Sequence, residues 1–169
     1  MRTRVLLPLL IVLCGVLAPS SAVAEPAPPV PPVALWSAPL GGDLVVTRPF
    51  DPPANPFAAG HRGVDLDGTP LSPVLAAGDG VVVFAGMVAG RPVVSIAHAD
   101  GLRTTYEPVD PSVAAGQQVA RGSPIGTLGG GHAGCPREAC LHWGLRRGET
   151  YLDPLALLRL PRIRLLPLY

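Results

Sequence analysis

The stretch AAGDGVVVFAGMVAGRPVVSIAHADGLRTTY, residues 76–106, indicates the fold class most clearly. It contains short runs rich in β-branched residues, and Asp79-Gly80 and Asp100-Gly101 supply turn dipeptides beside them. Short runs between glycine-containing turns are typical of antiparallel strands. The pattern continues on both sides, and strands are predicted at residues 44–47, 80–85, 92–98, 103–106, 118–120 and 141–146. We therefore predict an all-β domain, built as an antiparallel sandwich or barrel.

Two features refine this prediction. The phrases AGDGV at residues 77–81 and AGQQV at residues 115–119 are similar, which hints at a duplicated hairpin motif within the sheet. Helix-forming residues without glycine are confined to residues 154–160, where only a turn or two is expected. Asp153, followed by Pro154, is expected to cap that turn.

The two ends of the chain differ from its middle. Residues 1–24 have two arginines, an apolar run and a final Ala-Val-Ala, the layout of a secretory signal peptide with cleavage after Ala24. A lipid anchor at Cys14 is the competing interpretation, although Leu13 precedes it where a small residue is usual. Residues 25–40 form a proline-rich linker, residues 41–160 the domain, and residues 161–169 an apolar tail with two arginines. An exported protein with no membrane span after cleavage is expected.

Charge and composition exclude several function classes. The formal net charge is +1 and the cationic residues are scattered, so nucleic acid is not expected as a partner. All 13 cationic residues are arginines. The absence of lysine excludes a lysine nucleophile, a Schiff base and a carrier domain of the biotinyl or lipoyl type.

Three residues form a candidate metal site. The segment HRGVDLD, residues 61–67, places His61 and Asp65 four residues apart around a glycine. Downstream, His142 belongs to an alternating run in which positions 140, 142 and 144 of a strand point to one face. Two histidines and one aspartate leave the fourth position of a zinc ion open, as in catalytic sites. On spacing alone, a histidine near an aspartate also fits an ordinary surface pair.

Longer phrases extend the pattern along the chain. In order they are HRGVDLD, AAGDGVVVFAG, VVSIAHADGLRTTY, GQQVARGSPIGTLG, LHWGLRRG and YLDPLALL, between about residues 44 and 158. With these phrases the chain resembles the lysostaphin-like or LytM-type zinc metallopeptidases, which cut the peptide cross-links of bacterial peptidoglycan. The resemblance implies that the H-x-x-x-D motif falls on His61 and Asp65, and the second histidine of the H-x-H motif on His142. It also implies a Zn²⁺ cofactor, peptidoglycan as the partner and a wall-associated location outside the cytoplasm.

The chain departs from this family at two positions. Members normally carry two further histidines that orient the attacking water and stabilise the charged intermediate. The first follows a tyrosine by two residues, where this chain has Pro108 after Tyr106. The second leads the H-x-H motif, where this chain has Cys140. Neither helper histidine is present.

Cys140 has three interpretations. With Cys14 removed alongside the signal peptide, Cys135 and Cys140 remain as an even pair in an oxidising compartment, which predicts a disulfide. Alternatively, Cys140 is a fourth zinc ligand, which would make the site structural. A thiol acting as the base is the third interpretation.

Two other residues are candidate substitute bases. Glu107 is adjacent to the position of the first missing histidine, and His132 lies in a glycine-rich loop. Carboxylate bases beside zinc occur in other metallopeptidases. Two functions are therefore weighed: an exported zinc endopeptidase acting on peptidoglycan cross-links, and a catalytically impaired module that retains zinc and binds the wall or activates another hydrolase.

Overall fold

Eleven β-strands carry the part of the chain described by the computed structural model, residues 35–55, 58–132 and 134–159. The strands are β1 (Val46–Arg48), β2 (Gly63–Gly68), β3 (Pro73–Leu75), β4 (Gly80–Val88), β5 (Arg91–Ala97), β6 (Leu102–Glu107), β7 (Val109–Pro111), β8 (Gln118–Val119), β9 (Pro124–Leu128), β10 (Ala139–Arg147) and β11 (Thr150–Leu152). Short 3₁₀ helices occupy Ala99–Gly101 and Pro154–Leu158.

The strands form two antiparallel sheets. The larger has the order β1-β2-β10-β6-β5-β4-β8, with β11 paired to β10, and the smaller has the order β3-β9-β7. The prediction of an all-β, antiparallel fold is confirmed. The two similar phrases are hydrogen-bonded to each other, because Gly80 pairs with Val119 and Val81 with Gln118 where β4 meets β8.

One hydrophobic cluster joins the two sheets. The larger sheet contributes Leu66, Tyr106 and Trp143, all fully buried. The smaller sheet contributes residues of the same kind, including Val74 and Leu128. Side chains alternate along β6, where positions 102, 104 and 106 are buried and positions 103, 105 and 107 are partly exposed. The core thus lies against one face of the larger sheet, and the other face is left for polar side chains.

Residues 36–40, at the end of the predicted linker, pack on the domain. Ser37 N donates to Ala77 O at 2.8 Å, and Leu40 is buried in the core cluster. The ring of Trp36 contacts the imidazole of His98 edge-on, with 4.8 Å between centroids. The packed structure therefore includes five residues that proline content alone assigned to the linker. The predicted signal peptide, residues 25–34 of the linker and the 161–169 tail lie outside the described residues.

Some of the predicted strands agree with the structure, and others present in the structure were not predicted. Strands rich in β-branched residues were predicted within a few residues of their observed bounds, whereas β2, β3, β7, β9 and β11 were missed. Asp153 does cap the last 3₁₀ turn, since its Oδ1 accepts from Leu155 N at 3.0 Å. Among residues 35–159 that are described, no helix is long and apolar enough to cross a membrane.

Candidate metal centre

Strand pairing brings the three candidate ligands together. Asp65 on β2 lies directly opposite His142 on β10 in the antiparallel register. His61 precedes β2 and is held by a bridge to Asp51, whose N–H donates to His61 O at 3.0 Å. Residues 77 positions apart in sequence therefore become neighbours across one strand pair.

A glycine is required between the two ligands of the H-x-x-x-D motif. A Cβ atom at Gly63 would overlap the carbonyl oxygen of Trp143 and would lie 2.8 Å from His142 Nε2. Real Cβ atoms do not approach that closely, so a side chain at position 63 would push β2 from β10 or displace the imidazole. Gly63 thus permits the close strand pairing that places His142 beside Asp65.

The three ligand atoms form a small triangle. His61 Nε2 lies 3.0 Å from Asp65 Oδ1 and 3.0 Å from His142 Nδ1, and His142 Nδ1 lies 2.8 Å from Asp65 Oδ1. Ligand atoms about 2.0–2.1 Å from a tetrahedral ion lie roughly 3.3 Å from one another. The triangle is therefore close to the size that a single small cation requires.

A hydrogen bond to the backbone fixes the position of one proton on His61. Pro49 O can only accept, so His61 Nδ1, 2.7 Å away, carries the proton and donates it. In the neutral ring, Nε2 then holds a lone pair, and it faces an oxygen of Asp65 that is also an acceptor. Two acceptors at 3.0 Å need a proton or a metal ion between them. In metal-bound histidines, the ring nitrogen that does not bind the metal usually donates its N–H to such a carbonyl.

Asp65 has the environment of an ionised ligand. Its side chain is 1% exposed, and Oδ2 is buried with no hydrogen-bond partner in the described structure. Burial raises the pKa of this carboxyl, but the hydrogen bond from His142 and the charges of the surrounding imidazoles together lower it by more, so the net pKa lies below its ordinary value. A buried carboxylate with one unpaired oxygen among imidazoles fits a divalent cation, and this donor set suits zinc.

Both candidate bases line the same pocket as the metal ligands. The pocket has a volume of about 560 Å³. His132 Nε2 lies 3.7 Å from Asp65 Oδ1, and its side chain is 14% exposed. Glu107 lies opposite His142 across β6 and β10, and its carboxylate accepts from Arg91 Nε at 3.1 Å. His132 therefore approaches the ligand cluster directly, while Glu107 is engaged by an arginine at the pocket wall.

The glycine-rich loop that carries His132 is fixed at both ends. Gly129 N donates to Pro108 O at 2.9 Å, and a Cβ at Gly129 would lie only 3.2 Å from the Pro108 ring. On the other side, Gly131 N donates to Glu138 O at 2.9 Å, and Cys135 N donates to His132 O at 3.0 Å. The loop is thus held against the mouth of the pocket.

The predicted disulfide is present in the structure. Cys135 and Cys140 are joined with an S–S distance of 2.01 Å, and Cys140 is fully buried at the start of β10. A sulfur bonded in this way is neither a thiolate ligand nor a base. In this state of the protein, the two alternative interpretations of Cys140 do not apply.

The sequence analysis missed residues that complete the pocket. The carbonyl of Pro49 orients His61, and Arg48 and Arg91 line the pocket wall. Backbone carbonyls and isolated arginines carry no local sequence signal of this role. The arginine positions are set by strand register, which the sequence did not specify. The ring of His98 is hydrogen-bonded to Asp79 O at 2.8 Å and to Thr104 Oγ1 at 2.7 Å, away from the pocket.

Comparison with known proteins places this site in a family. The Mycobacterium tuberculosis protein Rv2891 is 53% identical over 134 residues, which cover 77% of this chain and 54% of the relative. The Escherichia coli lipoprotein YgeR is 31% identical over 140 residues, 81% of this chain and 52% of the relative. The chain therefore spans about half the length of the curated relatives it matches.

Solved structures show the same fold. Csd3 of Helicobacter pylori has a TM-score of 0.62 and 27% identity, covering 79% of this chain and 37% of that protein. A zinc-containing peptidase of Vibrio cholerae has a TM-score of 0.59 and 25% identity, covering 71% of this chain and 39% of that protein. The lysostaphin catalytic domain of Staphylococcus simulans, at 23% identity, has a TM-score of 0.57 and covers 68% of this chain and 92% of that domain.

The family model for peptidase family M23 matches residues 59–154, more than half of the chain. That range begins just before His61 and contains β2, β10 and the loop carrying His132. Sequence, fold and the position of the ligand triangle agree, and the chain belongs to peptidase family M23.

Proposed function

We propose that this chain is an exported, zinc-dependent endopeptidase acting on the cross-link peptides of peptidoglycan. The observation that carries the proposal is the convergence of His61 Nε2, Asp65 Oδ1 and His142 Nδ1 within 3.0 Å of one another at the wall of an open pocket. Membership of peptidase family M23 and the fold shared with a zinc-containing peptidase support it. The name of YgeR, a lipoprotein, supports a location outside the cytoplasm.

His61, Asp65 and His142 would hold the zinc ion. When bound, zinc supplies a Lewis acid that polarises the scissile carbonyl and lowers the pKa of water toward about 7. The protein's own part is to turn the ligating nitrogen of each imidazole toward the ion. The hydrogen bond from His61 Nδ1 to Pro49 O does this for one of them.

His132 is proposed as the base that accepts the proton of the attacking water. Its Nε2 lies 3.7 Å from the ligand oxygen of Asp65, close to the cluster but outside hydrogen-bond distance of that oxygen. The loop contacts that fix Gly129 and Gly131 keep it there. Imidazole is the side chain most often used for such proton transfer, and this one is held beside the ligand cluster.

Glu107 is the second candidate base. Its carboxylate is engaged by Arg91 and its side chain is 21% exposed, so the pair forms part of the pocket wall. We assign this pair to the alignment of the substrate backbone. The two roles separate experimentally, because loss of a base lowers kcat by about 10²–10⁴-fold, whereas loss of an alignment contact raises KM.

The test is release of soluble peptides from purified peptidoglycan by the purified protein, with and without a chelator. We expect release that is abolished by the chelator and by His61→Ala. His132→Ala is expected to retain zinc and to lose at least about 100-fold in kcat. Glu107→Gln is expected to change mainly KM, and Asp110→Asn, at an exposed position on β7 of the smaller sheet, serves as the control.

Two results would overturn parts of this proposal. If folded, zinc-loaded protein releases no peptide, the endopeptidase assignment fails, and the impaired wall-binding or activating module takes its place. If His132→Ala keeps full kcat while Glu107→Gln loses it, the two residues exchange roles and the zinc assignment stands.

A further inference from the structure

A second groove lies beside the metal centre on the same face of the larger sheet. Three cross-strand pairs of β6 and β10 extend from the metal ligand outward: Glu107 with His142, Thr105 with Gly144, and Arg103 with Arg146. Side chains at alternate positions of a strand share one face, so these pairs form one continuous surface. The groove has a volume of about 270 Å³ and shares His142 and Glu107 with the main pocket.

The far end of this groove holds two arginines directly opposite each other. Like charges in a cross-strand pair destabilise a sheet. Burial lowers the pKa of Arg103, and the positive charge of Arg146 lowers it further. Arg103 Nε is buried and has no hydrogen-bond partner in the described structure. Arg146 pairs with Glu149 at 3.6 Å, but the Glu149 side chain is 97% exposed. Such an exposed pair offsets little of the repulsion between Arg103 and Arg146.

The shape of the groove suits an extended chain. Gly144 forms part of its lining, and a Cβ there would make only ordinary contacts, the nearest at 3.5 Å to Arg62 O. Packing therefore does not demand glycine, but glycine leaves the groove open in the middle of a strand. Arg62 and Tyr151 form another part of the lining, with the guanidinium 5.5 Å from the ring centroid. A third positive charge thus lies along the groove.

We propose that this groove is a carboxylate-binding subsite, in which Arg103 and Arg146 receive a free carboxylate of a peptide that extends to the metal centre. Two guanidiniums facing each other with a buried, unpaired donor are complementary to a planar anion. His142 and Arg146 are four residues apart on β10, about 13 Å. The carboxylate therefore lies within about four residues of the scissile bond, and this placement rests on the proposed function.

A binding experiment tests the subsite without hydrolysis. Two probes are compared, N-acetyl-tetraglycine with a free C-terminal carboxylate and the same peptide as its carboxamide, titrated into chelator-treated protein and followed by NMR. Glycine peptides avoid any choice of chirality. We expect the carboxylate peptide to bind about tenfold more tightly than the carboxamide peptide. This ratio is at the lower end of the range for one charge-assisted hydrogen bond, because the site is partly exposed. Arg146→Gln should bring the ratio close to one.

Arg147→Gln is the matched control, because Arg147 is exposed and its side chain points away from the groove by strand alternation. It should keep the wild-type ratio. Arg146→Gln should melt at the same temperature as wild type or higher, since it relieves the repulsion with Arg103. Arg103→Gln provides a second variant with the same expected loss of preference.

The outcomes separate the two proposals. A wild-type ratio near one, or an equal loss in Arg147→Gln, would overturn the subsite. In zinc-loaded protein, cleavage of longer peptides carrying a carboxylate within four residues of the cut should be favoured over their carboxamide forms. If no peptide is cleaved but the binding ratio persists and depends on Arg146, the subsite stands and the endopeptidase assignment fails.

Discussion

Replacing Asp65 with asparagine should have opposite effects on the metal-free and zinc-loaded protein. In the metal-free protein, a buried carboxylate with one unpaired oxygen lies 3.0 Å from His61 Nε2. An asparagine amide in the same place can donate to His61 Nε2 and to His142 Nδ1, which lies 2.8 Å from the Oδ1 position. Two such hydrogen bonds, each worth about 1 kcal/mol, favour the variant.

The expected magnitudes follow from these contacts. Metal-free Asp65→Asn should be more stable than metal-free wild type by about 1–2 kcal/mol. Wild type should gain about 4 kcal/mol from zinc at a thousandfold excess over Kd, and the variant should gain almost none. At roughly 3–4 °C per kcal/mol for a domain of this size, zinc should raise the wild-type Tm by about 12–16 °C.

Differential scanning calorimetry at pH 8, with chelator or with zinc, measures both effects, and elemental analysis gives the zinc content. Asp67→Asn is the matched control, because Asp67 is the next acidic residue on β2 and pairs with Arg137 at 3.5 Å instead of joining the triangle. It should keep the full response to zinc. A metal-free Asp65→Asn that melts several degrees below wild type would refute the reasoning, since the carboxylate would then be a favourable structural partner. A wild-type Tm unmoved by zinc would refute the metal site.

Three further predictions concern stability. Replacing Cys135 and Cys140 with alanine opens a loop with a sequence separation of 5, so calorimetry should show a loss of about 2 kcal/mol, and an unchanged Tm would contradict it. Burial lowers the pKa of His98 in the folded protein. As pH falls, the unfolded chain, in which this histidine has a pKa of about 6.5, therefore takes up a proton before the folded protein does. The free energy of unfolding is thus highest above that pH and falls as the pH approaches the folded-state pKa. His98→Gln should flatten this fall in urea titrations between about pH 7.5 and pH 5, and a parallel profile would contradict the assignment. Tyr106→Phe leaves the buried Ala77 N–H, now 2.9 Å from the hydroxyl, without its acceptor and should cost about 1–3 kcal/mol in urea unfolding, whereas no loss would show that another group replaces the hydroxyl.

The strands that sequence alone predicted are those whose local composition agrees with their structure. β4 and β5 are rich in β-branched residues and were recognised. β2 was missed because its six residues, GVDLDG, include two glycines and two aspartates, which are poor strand formers. It becomes a strand because β1 and β10 pair with it on either side. Tertiary pairing overrides local propensity at the element that carries Asp65.

The part of the candidate site that was predicted is the set of metal ligands. Imidazoles and a carboxylate are visible in the sequence, so His61, Asp65 and His142 could be proposed before any distance was known. The sequence did not indicate that Arg103 and Arg146 face each other. Their pairing depends on the register of β6 against β10, and a shift of one residue would turn every side chain of one strand to the other face.

The two departures from the family pattern are connected through the loop of His132. Pro108 replaces one expected helper histidine, and its carbonyl and ring hold Gly129 at the start of the loop. Cys140 replaces the other, and its disulfide ties down Cys135, whose N–H donates to His132 O at 3.0 Å. Neither residue can exchange a proton, yet both fix the segment that brings a different imidazole to 3.7 Å from Asp65. In the proposed function, the residues at positions 108 and 140 thus position His132, and a large loss of kcat in His132→Ala with zinc retained would distinguish a rebuilt site from a decayed one.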